Sequence, residues 1–220
     1  MEKIQCPRCN GISIKNGFQN NKQCYKCKVC NKRFQLKYSY RAYNSDTNAL
    51  IKSLLKEGCG IRSISRIIDI SAKTVLSRML KISKAIKPPY FQKLGCKFEV
   101  DELWSFIGNK DNVTWTTYAI ERQTKFVIDF FVGRKTSENI KPLINKLLLL
   151  DPKRIYTDRL NIYPSIIPKS IHKRFQYCTN RIERHNLTLR THIKRLSRKT
   201  ICFSRNKIYL EAHLRINFWG

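Results

Sequence analysis

Glu183 is the one acidic residue between Asp158 and Glu211, and residues 159–210 around it carry thirteen Lys and Arg. A helix that grips phosphates and also offers one carboxylate to a metal ion can do chemistry on a polyanion. Two further acids extend the set: Asp101 within an apolar run, and Asp158 just after one. An ionised aspartate flanked by apolar side chains on its own strand face is costly to bury unpaired, and a bound cation removes that cost. Carboxylates are hard oxygen ligands, which suit Mg²⁺ or Mn²⁺ rather than Zn²⁺. Two such ions on Asp101, Asp158 and Glu183 would activate an attacking oxygen and stabilise a leaving one in in-line phosphoryl transfer. Water would attack first and release a 3′-hydroxyl, which would then attack a second duplex. Arg190 follows Glu183 by seven residues, two helical turns along one face. It could hold a phosphate beside the ions, as could Arg181 and Arg184, which flank the glutamate.

Other acids compete for these places. Glu102 alternates to the opposite strand face from Asp101, where it would support the site or pair with a lysine. Asp129 lies between apolar neighbours on a third strand and is the nearest substitute. His172, His185 and His192 have no cysteine at ligand spacing and read as phosphate or solvent contacts, and Trp104 and Trp115 read as core.

The elements that must position these groups follow from periodicity. Three apolar stretches, 97–107, 113–120 and 125–132, are separated by Gly108-Asn109-Lys110-Asp111 and Glu121-Arg122-Gln123-Thr124, both of hairpin-turn length. A helix over 137–150 follows, then an extended segment 154–157 that ends at Asp158. A short helix, a strand near 172–175 and a long basic helix over 180–196 complete the run. Three strands, helix, strand, helix, strand, helix is the order of an RNase H-like fold: an α/β domain over 95–220 with a mixed sheet covered by helices.

Two smaller modules precede it. Residues 1–40 hold Cys6-Pro7-Arg8-Cys9 and Cys27-Lys28-Val29-Cys30, two C-x2-C pairs 17 residues apart. Each pair sets two thiolates on one turn, and two such turns close a tetrahedron around a structural Zn²⁺. So small a segment needs the metal to fold. Cys24 is a fifth cysteine nearby, outside the paired spacing. Residues 45–88 read as three helices, the first capped by Ser45 or Asp46 and broken at Gly58 and Gly60, the last capped by Ser71. A short helix, a turn at Asp69-Ile70-Ser71 and a second helix form a helix-turn-helix pattern that sets Lys73, Thr74, Ser77 and Arg78 towards DNA. Lys87-Pro88-Pro89 ends the segment as a linker.

Composition points the same way. Among 220 residues, 44 Lys and Arg face 15 Asp and Glu, a formal charge of +29, and residues 1–45 carry ten basic residues against Glu2 alone. Such repulsion calls for an anionic partner touching several modules, and nucleic acid fits. The start of the chain has no apolar signal region, and no apolar run nears the roughly 20 residues that span a bilayer. The nine cysteines are therefore expected as reduced thiols in a cytoplasmic protein acting at the nucleoid, with no membrane partner.

The run Val100-Asp101-Glu102-Leu103-Trp104-Ser105-Phe106, the step Tyr156-Thr157-Asp158 and the block Arg181-Ile182-Glu183-Arg184-His185-Asn186-Leu187-Thr188-Leu189-Arg190-Thr191 resemble transposases of the insertion sequence 1 family. So do the tail over 194–204 and the cysteine module with its helix-turn-helix. The resemblance implies a DDE transposase with Asp101, Asp158 and Glu183 as metal ligands and Arg190 as the basic partner of the glutamate. It also implies N-terminal modules that recognise the terminal inverted repeats, with target DNA as the second substrate. Pairing two element ends calls for at least a dimer. Arg159-Leu160 departs from the Gly-Trp that the family often carries after the second aspartate. The alternative to an active enzyme is a DNA-binding repressor derived from a transposase.

Overall fold

The computed structural model describes residues 4–38, 42, 44–174 and 179–220. The chain falls into two compact units, Met1–Arg41 and Ala42–Gly220.

The first unit is a three-stranded antiparallel sheet, β1 (Ser13–Gln19), β2 (Lys22–Cys27) and β3 (Arg33–Gln35), paired in that order. Its apolar core is minimal: Tyr25 and Phe34 pack beside Cys6 and Cys27. Asn20 and Asn21 both take positive φ at the β1–β2 turn, a conformation asparagine tolerates better than most residues.

The second unit opens with α1 (Thr47–Lys56), α2 (Ile61–Ile68) and α3 (Ala72–Ala85). Ser71 caps α3 as expected, its side chain accepting from Thr74 N at 3.1 Å. The cap expected for α1 is absent: Asp46 makes no side-chain cap bond, and Ser45 Oγ donates to its carboxylate at 3.0 Å instead. Gly58 at φ +78° ends α1, and Asp69 at φ +52° turns the chain between α2 and α3.

The large sheet follows: β4 (Lys97–Phe106), β5 (Val113–Glu121), β6 (Val127–Gly133), β7 (Arg154–Thr157) and β8 (His172–Lys173), in the order β6-β5-β4-β7-β8. The β4, β5 and β6 strands are antiparallel neighbours, whereas β7 and β8 run parallel to β4. This is a mixed α/β fold around a five-stranded sheet. Of the strand expected near 172–175, residue 175 lies outside the described residues.

Alternation on β4 sorts its side chains between two cores. Phe98 and Val100 join α4 (Ser137–Leu148) and α5 (Tyr163–Ile166) on one face. Leu103 joins Tyr118, Ile182 and Leu189 on the other, under α6 (Asn180–His192) and α7 (Lys207–Trp219). The basic helix is shorter than expected: α6 ends at His192, and Lys194–Leu196 is a 3-10 turn. The sequence reading did not foresee α7. It faces the sheet with Leu210 and Leu214, and a third core, with α1–α3, with Ala212 and Ile216.

Candidate active site

The pairing Val100↔Thr157 carries the parallel strands β4 and β7 forward in step, so Asp158, just past β7, comes beside Asp101. Asp101, Glu102 and Asp158 each bring a carboxylate oxygen within 4.8 Å of the others. Asp101 Oδ1 accepts from Glu102 N at 2.8 Å and Oδ2 from Asn186 Nδ2 at 2.6 Å. Asp158 Oδ1 accepts from Leu160 N at 2.9 Å, so the Arg159-Leu160 departure still forms a tight aspartate turn. Burial, then the charges of Glu102 and Asp158, pushes the Asp101 pKa up to about 7, against the hydrogen bonds from Glu102 N and Asn186. Burial also raises Glu102, whose carboxylate takes a hydrogen bond from Tyr163 and pairs with Lys135 Nζ at 3.2 Å. Asp101 and Glu102 thus resist ionisation where they stand, and a divalent cation among the cluster's oxygens would favour their charged forms. The donor set, all carboxylate, fits Mg²⁺ or Mn²⁺.

The structure brings together two of the three acids singled out from sequence. Glu183 is exposed on α6, and its Oε1 accepts from Thr179 Oγ1 at 3.0 Å, outside the cluster. Asn186, three residues further along the helix, is what reaches Asp101. Glu102 fills the third place in the cluster and also has the lysine partner expected of it. Asp129 is elsewhere, paired with Lys146 Nζ at 2.8 Å. Arg190 donates to Leu196 O at 2.7 Å, and its pKa is lowered by burial and by Arg198 but raised by Asp101. Arg181 donates to Arg122 O, and Arg184 is exposed. His172 and His185 are half-buried and hydrogen-bond within the protein, to Thr157 Oγ1 at 2.8 Å and to Tyr118 Oη at 3.1 Å.

One residue that sequence reasoning passed over holds α6 in place. No side chain of the chain's own N-cap, Thr179, caps this helix. Glu99, 0% exposed on β4, does so from the sheet: its Oε2 accepts from Ile182 N at 2.9 Å. A carboxylate there satisfies a free N–H of the first turn and meets the positive end of the helix dipole. Arg122 Nε stands 2.9 Å from Glu99 Oε1 as an ion pair, although no hydrogen bond aligns to that oxygen. The guanidinium also lies over the Tyr156 ring at 4.1 Å. Burial raises the Glu99 pKa against the pull of Ile182 N and Arg122.

In the first unit, the Sγ atoms of Cys6, Cys9, Cys27 and Cys30 lie within 4.8 Å of one another, with Cys6–Cys30 at 3.6 Å and Cys9–Cys27 at 3.5 Å. Zn–S bonds of about 2.3 Å give a tetrahedron with edges of about 3.8 Å, so the four sulfurs fit. Backbone N–H groups of Val29 and Cys30 each point at Cys27 Sγ at 3.4 Å. The Cys30 N–H leads in pulling the Cys27 pKa down to about 6, which favours the thiolate a metal requires. Cys24 stands apart, its Sγ accepting from Gln35 Nε2 at 3.4 Å.

On α3, Lys73 and Ser77 are exposed and Thr74 is half-buried. Arg78 is turned inward, donating to Ala42 O at 2.8 Å and to Asn48 Oδ1 at 3.4 Å.

The chain thus carries an acid cluster on a mixed sheet beside a basic helix, and a separate four-cysteine cluster. Residues 94–216 match the family described as IS1 transposase, and the chain belongs to that family. Insertion element iso-IS1n protein InsB of Shigella dysenteriae is 41% identical over 118 residues, covering 54% of this chain and 88% of that protein. Insertion element IS1 2 protein InsB of Escherichia coli (strain K12) is 36% identical over 118 residues, covering 54% of this chain and 69% of its own. Among solved structures, a chain from the simian T-cell lymphotropic virus intasome overlaps 64% of this chain and 58% of its own length, at 15% identity and a TM-score of 0.35, too slight a likeness to define the fold. Among the described residues no helix is long and apolar enough to cross a membrane.

Proposed function

We propose that the chain is a DDE transposase whose RNase H-like domain, residues 95–220, cuts and joins DNA at Asp101, Asp158 and Glu183. The convergence of Asp101 and Asp158 beside α6, in a chain of the IS1 transposase family, carries this reading. Two Mg²⁺ or Mn²⁺ ions held there would supply activation of the attacking oxygen and charge relief at the leaving one. Asp101 and Asp158 form the rigid part of the cage, fixed by Glu102 N, Asn186 and Leu160 N. Glu183 lies one helical turn before Asn186, so a swing of its side chain away from Thr179 completes the set. Arg190, Arg184 and Arg181 hold backbone phosphates along the same helix.

Residues 1–40 bind structural Zn²⁺ through Cys6, Cys9, Cys27 and Cys30, and residues 45–88 act as a helix-turn-helix. Together they recognise the terminal inverted repeats, with Lys73, Thr74 and Ser77 on the DNA side of α3; Arg78 braces the helix instead. The protein works as a dimer or larger assembly on paired ends.

Two observations favour a second reading. Glu183 is exposed, and Glu102 occupies the third place in the cluster. Either Glu102 is the third ligand, or the chain binds the repeats and represses without chemistry. The test is Mg²⁺-dependent nicking and joining of duplexes ending in the cognate repeat. Asp101→Ala and Asp158→Ala should abolish both steps and leave binding intact. Glu183→Gln should abolish them too, whereas Glu102→Gln should retain them. The reverse pattern reassigns the third ligand, and repeat binding by the wild type without cleavage establishes the repressor.

A further inference from the structure

Four side chains between β5, α6 and β4 form a hydrogen-bonded chain with a fixed direction. His185 Nδ1 lies 3.1 Å from Tyr118 Oη. Tyr118 Oη donates to Asn186 Oδ1 at 2.6 Å, with Ile182 O a longer alternative at 3.4 Å. Asn186 Nδ2 donates to Asp101 Oδ2 at 2.6 Å. A phenol has one proton. Once it is given to Asn186, the phenol oxygen can only accept from His185, which assigns the histidine proton to Nδ1. The opposite amide orientation would bring two acceptor oxygens to 2.6 Å at Asp101, which a carboxylate ionised for metal binding does not tolerate. Tyr118 is fully buried, in register with Asp101 on the neighbouring strand, and its ring packs on Phe218 and His185. The amide that meets Asp101 is thus oriented from the protein interior rather than by solvent.

We infer that Asn186, oriented by Tyr118 and His185, is a positioning residue that holds the Asp101 carboxylate in the plane needed to bind a divalent cation. With Oδ1 tied to Glu102 N and Oδ2 to Asn186, the carboxylate cannot rotate, and its remaining lone pairs are free for an ion shared with Asp158. Groups that orient a metal ligand in this way typically change metal affinity by roughly tenfold or more when removed. The inference rests on the reading of Asp101 as a metal ligand.

A double-mutant cycle in Mn²⁺ affinity tests it, measured by calorimetry on the full chain, with urea midpoints confirming that each variant is folded. Asn186→Ala should weaken Mn²⁺ binding roughly tenfold, and Tyr118→Phe, which removes one hydroxyl, by nearly as much. Because Tyr118 acts only through Asn186, the double variant should bind no more weakly than Asn186→Ala alone. Purely structural roles would give losses that multiply. If Tyr118→Phe does not fold, His185→Ala takes its place in the cycle with the same expectation. Wild-type affinity in the variants, or losses that multiply, overturns the inference alone. A wild type that binds no Mn²⁺ overturns it together with the site assignment.

Discussion

His213 lies on α7 against α1, 4% exposed, with Nε2 3.3 Å from Leu55 O and Nδ1 without a partner among the described residues. Burial, then the nearby charge of Arg195, pushes its pKa from the ordinary 6.5 down to about 4, against the pull of the Leu55 carbonyl. The unfolded chain takes up a proton near pH 6.5 that the folded chain refuses until about pH 4, so stability falls as pH drops through that window. For this one group the loss is about 2 kcal/mol between pH 7 and pH 5, growing to about 3 kcal/mol at pH 4. The group is fully enclosed, so solvent screening takes little from the figure. Other groups titrate too. Asp101, pushed up to about 7, works in the opposite sense and stabilises the fold as it protonates. The informative quantity is therefore a difference against His213→Gln, which keeps an amide N–H for Leu55 and cannot titrate. Urea unfolding at pH 7 and pH 5 should show the wild type losing about 2 kcal/mol more than the variant. Equal losses in the two proteins would refute a neutral, buried His213, and with it the docking of α7 on α1–α3.

Cys27→Ser, or a strong chelator, should remove the single Zn²⁺ expected per chain and unfold residues 4–38, seen as lost amide dispersion there; a module that keeps its spectrum without zinc refutes the four-thiolate site. Ser71→Ala should cost about 1 kcal/mol in urea unfolding, through the lost cap at Thr74 N, and no measurable loss would remove that role. Glu99→Ala leaves Ile182 N–H and Arg122 without their carboxylate. It should cost about 3 kcal/mol and speed hydrogen exchange at the first turn of α6, and unchanged exchange would show that another group holds the helix.

Much of the fold was legible because strands and helices repeat with different periods. The β4 and β7 boundaries followed from clean runs such as 154–157, and Ser71 announced α3 through its cap. Helix α7 escaped because its apolar residues do not form one stripe. It is packed on two sides, with Leu210 and Leu214 towards the sheet and Ala212 and Ile216 towards α1–α3. In the site, Asp101 and Asp158 were legible as acids set against apolar strands. Glu99 was not: a glutamate between Phe98 and Val100 looks like the solvent face of an alternating strand until a helix covers that face. Asn186 carried no signal, since an amide next to a histidine on a basic helix is ordinary, and only the fold brings it to Asp101. Arg78 was expected to face DNA from its place on α3, but its guanidinium is held by Ala42 O, ahead of α1.

Anomalous diffraction from crystals of the protein bound to repeat-end DNA in Mn²⁺ locates the ions that Asp101 and Asp158 would share. Manganese peaks should lie within about 2.3 Å of Asp101 and Asp158 oxygens, with Glu183 turned from Thr179 to join them. Manganese bound elsewhere, or none at these aspartates with DNA in place, would contradict it.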